Sequence, residues 1–217
     1  MRLTVAAITA AALTLLSACS DPQGSSVISR VTGMMLGMTQ DDATSRTGLQ
    51  VSAEEILANP GRYVRVNVRD LGVADTMVAA ADNNGRVTWA GGTGISVTLD
   101  QGVVVATRGL PRDLMGSDAS ATLASLRNGR GNHVRTHDFL SDQDQIQSVV
   151  LQCRVEAKGS DEITRLGARL STTRVEERCT SDGLSLTNVY WLNQSGRILR
   201  SLQAVSPDAG YLQIDAF

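Results

Sequence analysis

Ile95-Ser-Val-Thr-Leu-Asp-Gln-Gly-Val-Val-Val-Ala-Thr107 decides the fold. Ile95, Val97 and Leu99 alternate with Ser96, Thr98 and Asp100, so an extended chain would turn one apolar side inward. Asp100-Gln101-Gly102 supplies the residues of a tight reversal, and residues 103–107 continue as a second β-branched stretch. Two such runs joined by such a turn form an antiparallel hairpin.

The same grammar extends in both directions. Val64, Val66 and Val68 alternate with Arg65, Asn67 and Arg69, and residues 76–81 and 87–90 flank the turn Asn83-Asn84-Gly85. Downstream, residues 134–139 read as a strand, and Val149, Leu151, Cys153 and Val155 alternate with polar neighbours. Lys158-Gly159-Ser160-Asp161 reads as a turn, which makes 163–170 and 172–179 separate strands. Further turn residues set off 184–192, 198–205 and 211–214, giving about eleven strands in all. Ser52 stands three residues before Glu55, a capping-box pattern for a helix over 53–58, and Asn59-Pro60-Gly61 ends it. Residues 118–127 suggest a second short helix. Val27, Ile28, Val31, Met34, Met35 and Met38 recur at helical spacing and suggest a third. Strands do not alternate with helices, so a doubly wound parallel sheet is excluded. The expected class is all-β, mostly antiparallel: a curved meander sheet, barrel-like or sandwich, with two or three short helices.

The N-terminus is of another kind. Arg2 precedes an apolar run over residues 3–16, about 14 residues and too short for a bilayer, which needs ~20. Leu16-Ser17-Ala18-Cys19 follows and is similar to the bacterial lipobox, where cleavage leaves a lipidated cysteine first. Residues 1–18 are therefore read as a lipoprotein signal peptide, 19–26 as a lipidated tether, and 27–217 as a single β-rich periplasmic domain. Acyl chains on Cys19, palmitate among them, would anchor the protein to membrane. Ser20 after the cysteine favours the outer membrane, facing the periplasm; Asp21, one place later, weakens that reading without reversing it.

Composition narrows the function. The formal charge is −2, and the 20 Lys and Arg do not exceed the 22 Asp and Glu. Nothing in that balance suggests a nucleic-acid partner. Aromatics make up 3% of the chain, so Val, Ile, Leu and Ala must build the core. With Cys19 lipidated, Cys153 and Cys179 remain, and in an oxidising compartment the simplest reading is that they pair. Two buried free thiols are the alternative.

Two longer segments carry a resemblance. One runs from Trp89-Ala-Gly-Gly-Thr-Gly94 through Thr107-Arg-Gly-Leu-Pro-Arg-Asp-Leu-Met-Gly116. The other is Leu186-Thr-Asn-Val-Tyr-Trp191, followed by Gly196-Arg-Ile-Leu-Arg-Ser-Leu-Gln203 and Ser206-Pro207. They resemble the YjbF/GfcB lipoproteins of group 4 capsule and other exopolysaccharide secretion systems, with Thr107-Arg-Gly-Leu110 the most specific part. Leu202-Gln203-Ala204 departs from the pattern, where a more basic and aromatic run is expected at the C-terminal surface. The resemblance implies a β-rich fold on a lipid anchor and a role near polysaccharide export. It implies no catalytic residue set.

The residues themselves offer little chemistry. His133 and His137, with Asp138, lack any zinc-like pattern and read as solvated groups at a loop edge, so no metal and no cofactor are expected. No Gly-x-Ser-x-Gly elbow occurs, and Asp41-Asp42 and Glu176-Glu177 are chain neighbours that do not face each other across a cleft. The protein is expected not to be an enzyme. Arg108, Arg112, Arg127, Arg130 and Arg135 are opposed between 107 and 136 by only Asp113 and Asp118. Guanidinium groups suit carboxylates and phosphates, so an acidic polysaccharide or an acidic partner surface is a candidate contact. Arginines scattered over a solvated face are the plainer reading. Trp89, Tyr190 and Trp191 could stack on sugars, though strand positions in or near the core are the commoner place for such sparse aromatics. A non-catalytic lipoprotein that supports exopolysaccharide or capsule secretion or assembly, through polysaccharide-export proteins, is the leading reading. A periplasmic carrier of a lipid or glycan is the alternative.

Overall fold

Alternating strands joined by tight turns pair with their chain neighbours, and here they do so through most of the described residues. The computed structural model describes residues 48–141 and 143–217. The leader, Cys19 and the methionine stripe lie outside the described residues. Helix α1 (Ala53–Ala58) precedes β1 (Tyr63–Val68), β2 (Val73–Asn83), β3 (Arg86–Ala90), β4 (Ser96–Asp100), β5 (Val103–Arg108) and the short β6 (Gly116–Ser117). Helix α2 (Ser120–Arg127) leads into β7 (Arg130–Leu140), β8 (Ile146–Arg165), β9 (Ala168–Ser181), β10 (Leu184–Leu192), β11 (Ile198–Ser206) and β12 (Gly210–Ala216). All twelve strands form one antiparallel sheet in the order β5-β4-β3-β2-β1-β12-β11-β10-β9-β8-β7-β6. One step in that order is not between chain neighbours: β1 lies against β12, with Val64 opposite Ala216. The sheet curls into a nearly closed barrel. No helix of the described residues is long and apolar enough to cross a membrane.

The barrel closes at β5 and β6 without a regular ladder. Thr107 N donates to the Leu114 carbonyl at 2.9 Å, and Met115 N to the Asp138 carbonyl at 2.8 Å. Deeper along β5, side chains take the place of a partner strand. Val104 N donates to Gln203 Oε1 at 2.9 Å, and the Val104 carbonyl accepts from Arg135 Nη2 at 2.8 Å. Edge groups that would otherwise be bare are thus satisfied from inside.

The expected hairpin at 95–107 is β4 and β5, with Asp100 opposite Val103. The capping residue is also where the sequence put it: Glu55 N donates to Ser52 Oγ at 3.1 Å. The Glu55 side chain does not close a reciprocal box; it accepts from Tyr63 Oη at 2.8 Å and so ties α1 to β1. Two expectations need correction. Residues 158–161 are no turn, because β8 runs straight through them. Gly159, at φ +100°, takes a β-bulge opposite β9 instead. The reversal comes at Leu166-Gly167, both at positive φ, with no Asn or Asp to signal it. The strand expected at 163–170 therefore straddles a hairpin tip.

The core is aliphatic, as the scarcity of aromatics requires. Val64, Val66, Val97, Leu99, Leu114, Leu212 and Ile214 belong to one buried cluster. Val103, Val105, Leu123, Leu126, Val155 and Leu192 belong to another, which holds α2 in place. Cys153 and Cys179 lie directly opposite each other on β8 and β9 and are joined in a disulfide.

Candidate functional site

On β7, positions 133, 135, 137 and 139 share one face, and Phe139 is buried, so that face points inward. The same phase carries Glu177 on β9 and Asn188 and Tyr190 on β10 inside. The result is a polar knot in an aliphatic barrel. Glu177 is fully buried and accepts five hydrogen bonds. Thr122 Oγ1 and His133 Nε2 bond to its Oε1, each at 2.9 Å. Arg135 Nη1 at 3.2 Å, Asn188 Nδ2 at 2.7 Å and Tyr190 Oη at 2.9 Å bond to its Oε2. Burial by itself would raise the Glu177 pKa. His133, Arg135, Asn188 and Thr122 outweigh it and hold the carboxyl at about 2. An ionised carboxylate only accepts, so His133 Nε2 presents a proton to it, while Nδ1 lies 3.3 Å from Ser125 Oγ. Burial, then the negative charge of Glu177, raises the pKa of the Tyr190 hydroxyl well above its ordinary value. Every group here is committed to another, which suits a structural hub better than a reacting one.

His137 differs. It is 3% exposed, and its Nε2 has no hydrogen-bond partner among the described residues. Burial, then the charge of Arg135, lowers its pKa to about 3, so the ring is neutral. Leaving such a nitrogen unpaired costs about 1–3 kcal/mol. The ring meets the edge of Phe139 at 6.1 Å and lines a chamber of about 300 Å³ with Phe139, Leu151, Leu186, Val205 and Arg112.

Arg112, another lining residue, sits on the tightly built loop between β5 and β6. Asp113 accepts from Thr107 Oγ1, Gly109 N and Leu110 N at 2.9–3.1 Å, and Leu114 N donates back to Thr107 Oγ1 at 3.0 Å. Gly109 is at φ +87°, and a Cβ there would lie 2.6 Å from the Gly94 carbonyl oxygen, so only glycine fits. The Thr107-Arg-Gly-Leu110 segment thus makes a rigid frame that presents Arg108 and Arg112 to one outer cleft of about 910 Å³, shared with Gln147 and Asp208. The Arg112 guanidinium lies 5.2 Å over the Phe139 ring and borders both cleft and chamber. A further cavity of about 490 Å³ is lined by Trp89, Leu99, Leu126, Ile198, Arg127 and Arg197.

The five arginines therefore do not form one surface. Arg108 and Arg112 share the cleft, and Arg127 borders a different cavity and bonds Gln101 at 2.8 Å. Arg130 is exposed on β7 opposite Glu156. Arg135 is 3% exposed and spent on Glu177, Ser117 and Val104, so it is not a surface contact at all. The two histidines are not solvated at a loop edge: both belong to β7 and face inward. Tyr190 is buried on Glu177, while Trp191 is half-buried with its indole N–H on Asp161 at 2.8 Å. The ligand atoms of His133, Cys153 and Glu177 lie within 4.8 Å of one another, but they do not fit a metal ion. The sulfur is held in the disulfide, and the carboxylate and the imidazole N–H already satisfy each other. Gln203, in the run that departs from the family pattern, is 1% exposed and bridges β11 to β5. Inward polar residues in phase with apolar neighbours were the signal for this network: 133, 135 and 137 with Phe139, and 188 and 190 with Leu192.

Comparison with known proteins gives consistent results. The crystal structure of the hypothetical lipoprotein YmcC from Escherichia coli K12 is similar, with a TM-score of 0.68 at 15% identity. The similarity covers 89% of this chain and 96% of that one. A search of curated proteins finds no match. A family model described as group 4 capsule polysaccharide lipoprotein gfcB, YjbF matches residues 25–217. The barrel with its Thr107-Arg-Gly-Leu110 frame belongs to the YjbF/GfcB family of group 4 capsule polysaccharide lipoproteins.

Proposed function

We propose that this protein is a non-catalytic lipoprotein, anchored through Cys19, that supports capsule or exopolysaccharide secretion or assembly by binding a partner protein. The observation that carries the reading is a set of four exposed apolar side chains on the outer face of β7 and β8, in two groups either side of the Asp138–Ser148 pair. Val134, Leu140, Ile146 and Val150 are all exposed on β7 and β8, and Leu140 pairs directly with Ile146. Clustered apolar side chains left in solvent mark interaction surfaces. The commitment of Glu177 to five donors supports a structural rather than catalytic interior. We place the anchor in the outer membrane, facing the periplasm, on the strength of Ser20.

The test compares polysaccharide output from a deletion strain complemented with wild type, Cys19→Ser, or an Ile146→Lys/Val150→Lys double variant. The reading expects the deletion to lose output and neither altered copy to restore it. Full restoration by the double variant overturns the docking surface. Unchanged output in the deletion overturns the pathway.

The cleft favours a second reading, a carrier or receptor for an acidic glycan. Arg108 and Arg112 face one polar groove on a rigid loop, the arrangement that carboxylate recognition needs. Binding of an acidic oligosaccharide such as oligogalacturonate, lost in Arg108→Gln, would support it.

A further inference from the structure

The aliphatic core is not continuous. Val64 and Leu99 belong to one cluster, with Trp89 packed against it, and Leu123, Leu126, Leu192 and Ile198 belong to the other. Both groups line the cavity of about 490 Å³, beside the β4–β5 turn at Gly102 and the β10–β11 turn at Gly196. Protein interiors are close-packed, so an apolar gap between two parts of a core forgoes contacts unless something fills it. Val87 and Ala216 complete the apolar wall. The polar side chains on it are Gln101, Arg127, Ser195 and Arg197, all exposed. Among the described residues no Asp or Glu lines it. Arg127 has a neutral partner, Gln101, at 2.8 Å, and Arg197 donates to the Phe217 oxygen at 3.2 Å. Asp100, next in the chain to Gln101, is paired with Arg86 at 3.4 Å. The space is thus apolar at depth and cationic at its rim.

We propose that this cavity binds the alkyl chain of a single-chain fatty carboxylate, with the carboxylate held at Arg127. Room for roughly sixteen water-sized groups fits a chain of about eleven carbons with its head at the rim. A sugar ring would lose the hydration of its hydroxyls against these walls with too few replacements, whereas an alkyl chain has none to lose. The Arg127 guanidinium has donors to spare beyond Gln101, and it matches a carboxylate in charge and shape. The cavity shares no lining residue with the Arg108–Arg112 cleft, so the proposal stands apart from both readings above.

The experiment uses the full chain in nanodiscs, with free probe concentrations matched by dialysis and empty nanodiscs subtracted. Trp89 lines the cavity and the chain's other tryptophan, Trp191, does not, so Trp191→Phe leaves Trp89 as the reporter. A bromine at the end of an alkyl chain quenches an indole it touches. ω-Bromoundecanoate is expected to quench Trp89 saturably and to bind roughly tenfold more tightly than ω-bromoundecanol. ω-Bromoheptanoate, shorter by four methylenes, should bind about a hundredfold or more weakly. Arg127→Glu, at an exposed position, should abolish the preference for acid over alcohol. Val87→Phe, which takes up part of the space, should weaken both undecyl probes. No saturable quenching, equal affinity for the long and short acids, or an acid preference that survives Arg127→Glu overturns the proposal. Calorimetry of the wild type with the two acids reads the chain dependence with no variant to fold, and equal affinities there overturn it as well.

Discussion

Glu177 collects donors from three elements beyond its own strand: Thr122 of α2, His133 and Arg135 of β7, and Asn188 and Tyr190 of β10. Its neutral isostere tests how much the fold depends on that charge. Glu177→Gln leaves Arg135 buried without its counter-ion, and breaking a buried pair costs about 3–5 kcal/mol. Urea denaturation should show that loss, and a midpoint unchanged from wild type would contradict it. The hub was not legible as a site, because Glu176-Glu177 in sequence is only an acidic pair, and its partners lie up to 55 residues away. His137 carries a separate prediction. Its pKa is 6.5 in an ordinary chain and about 3 when folded. Between those values the unfolded state binds the extra proton, so stability falls as the pH drops from about 6.5 toward 3. The slope is at most about 1.4 kcal/mol per pH unit. Glu177 adds a second loss as the pH falls from 4.5 toward 2, where its lowered pKa lies. Unfolding free energies at pH 7 and pH 5 should diverge in wild type and much less in His137→Phe. Equal divergence in both would place the acid sensitivity elsewhere.

At the level of elements, periodicity spoke clearly where turns were conventional. The β4–β5 hairpin and the Ser52 cap follow from Asp100-Gln101-Gly102 and Ser52-Ala-Glu-Glu55. It misled on β8, because Gly159 beside Lys158 and Ser160 has the composition of a turn whether it makes one or a bulge. What settles the matter is the pairing of both halves of β8 with the single strand β9, and pairing is a long-range property. The disulfide staples this same hairpin across 26 residues. The Cys153→Ser/Cys179→Ser double variant should lose about 3–4 kcal/mol in the chain-entropy picture. Thermal unfolding of the wild type with and without reductant checks it, and indifference to reductant would show that the hairpin does not rely on the bond.

For the molecule as a whole, the sequence indicates a curved antiparallel sheet, but not how it shuts. Closure depends on Gln203 and Arg135 reaching the unpaired edge of β5, and nothing local marks a glutamine or an arginine for that task. Gln203→Leu would strip Val104 N and the Gly102 carbonyl of their partners. Amide exchange at residues 103–105 should accelerate in that variant, while β9 and β10 stay protected; unchanged exchange at Val104 would show that the edge is held by other means. The same contact has a consequence in time. Val104 and Gln203 are 99 residues apart, and β1 waits on β12 as well. At synthesis rates of about 5–20 residues per second, a chain emerging N-terminus first keeps its first five strands unsealed for roughly 5–20 seconds. An open strand edge is a template for foreign strands throughout that interval. Its need for a holding chaperone should therefore peak while the last third of the chain is still being made and end once β11 and β12 have arrived.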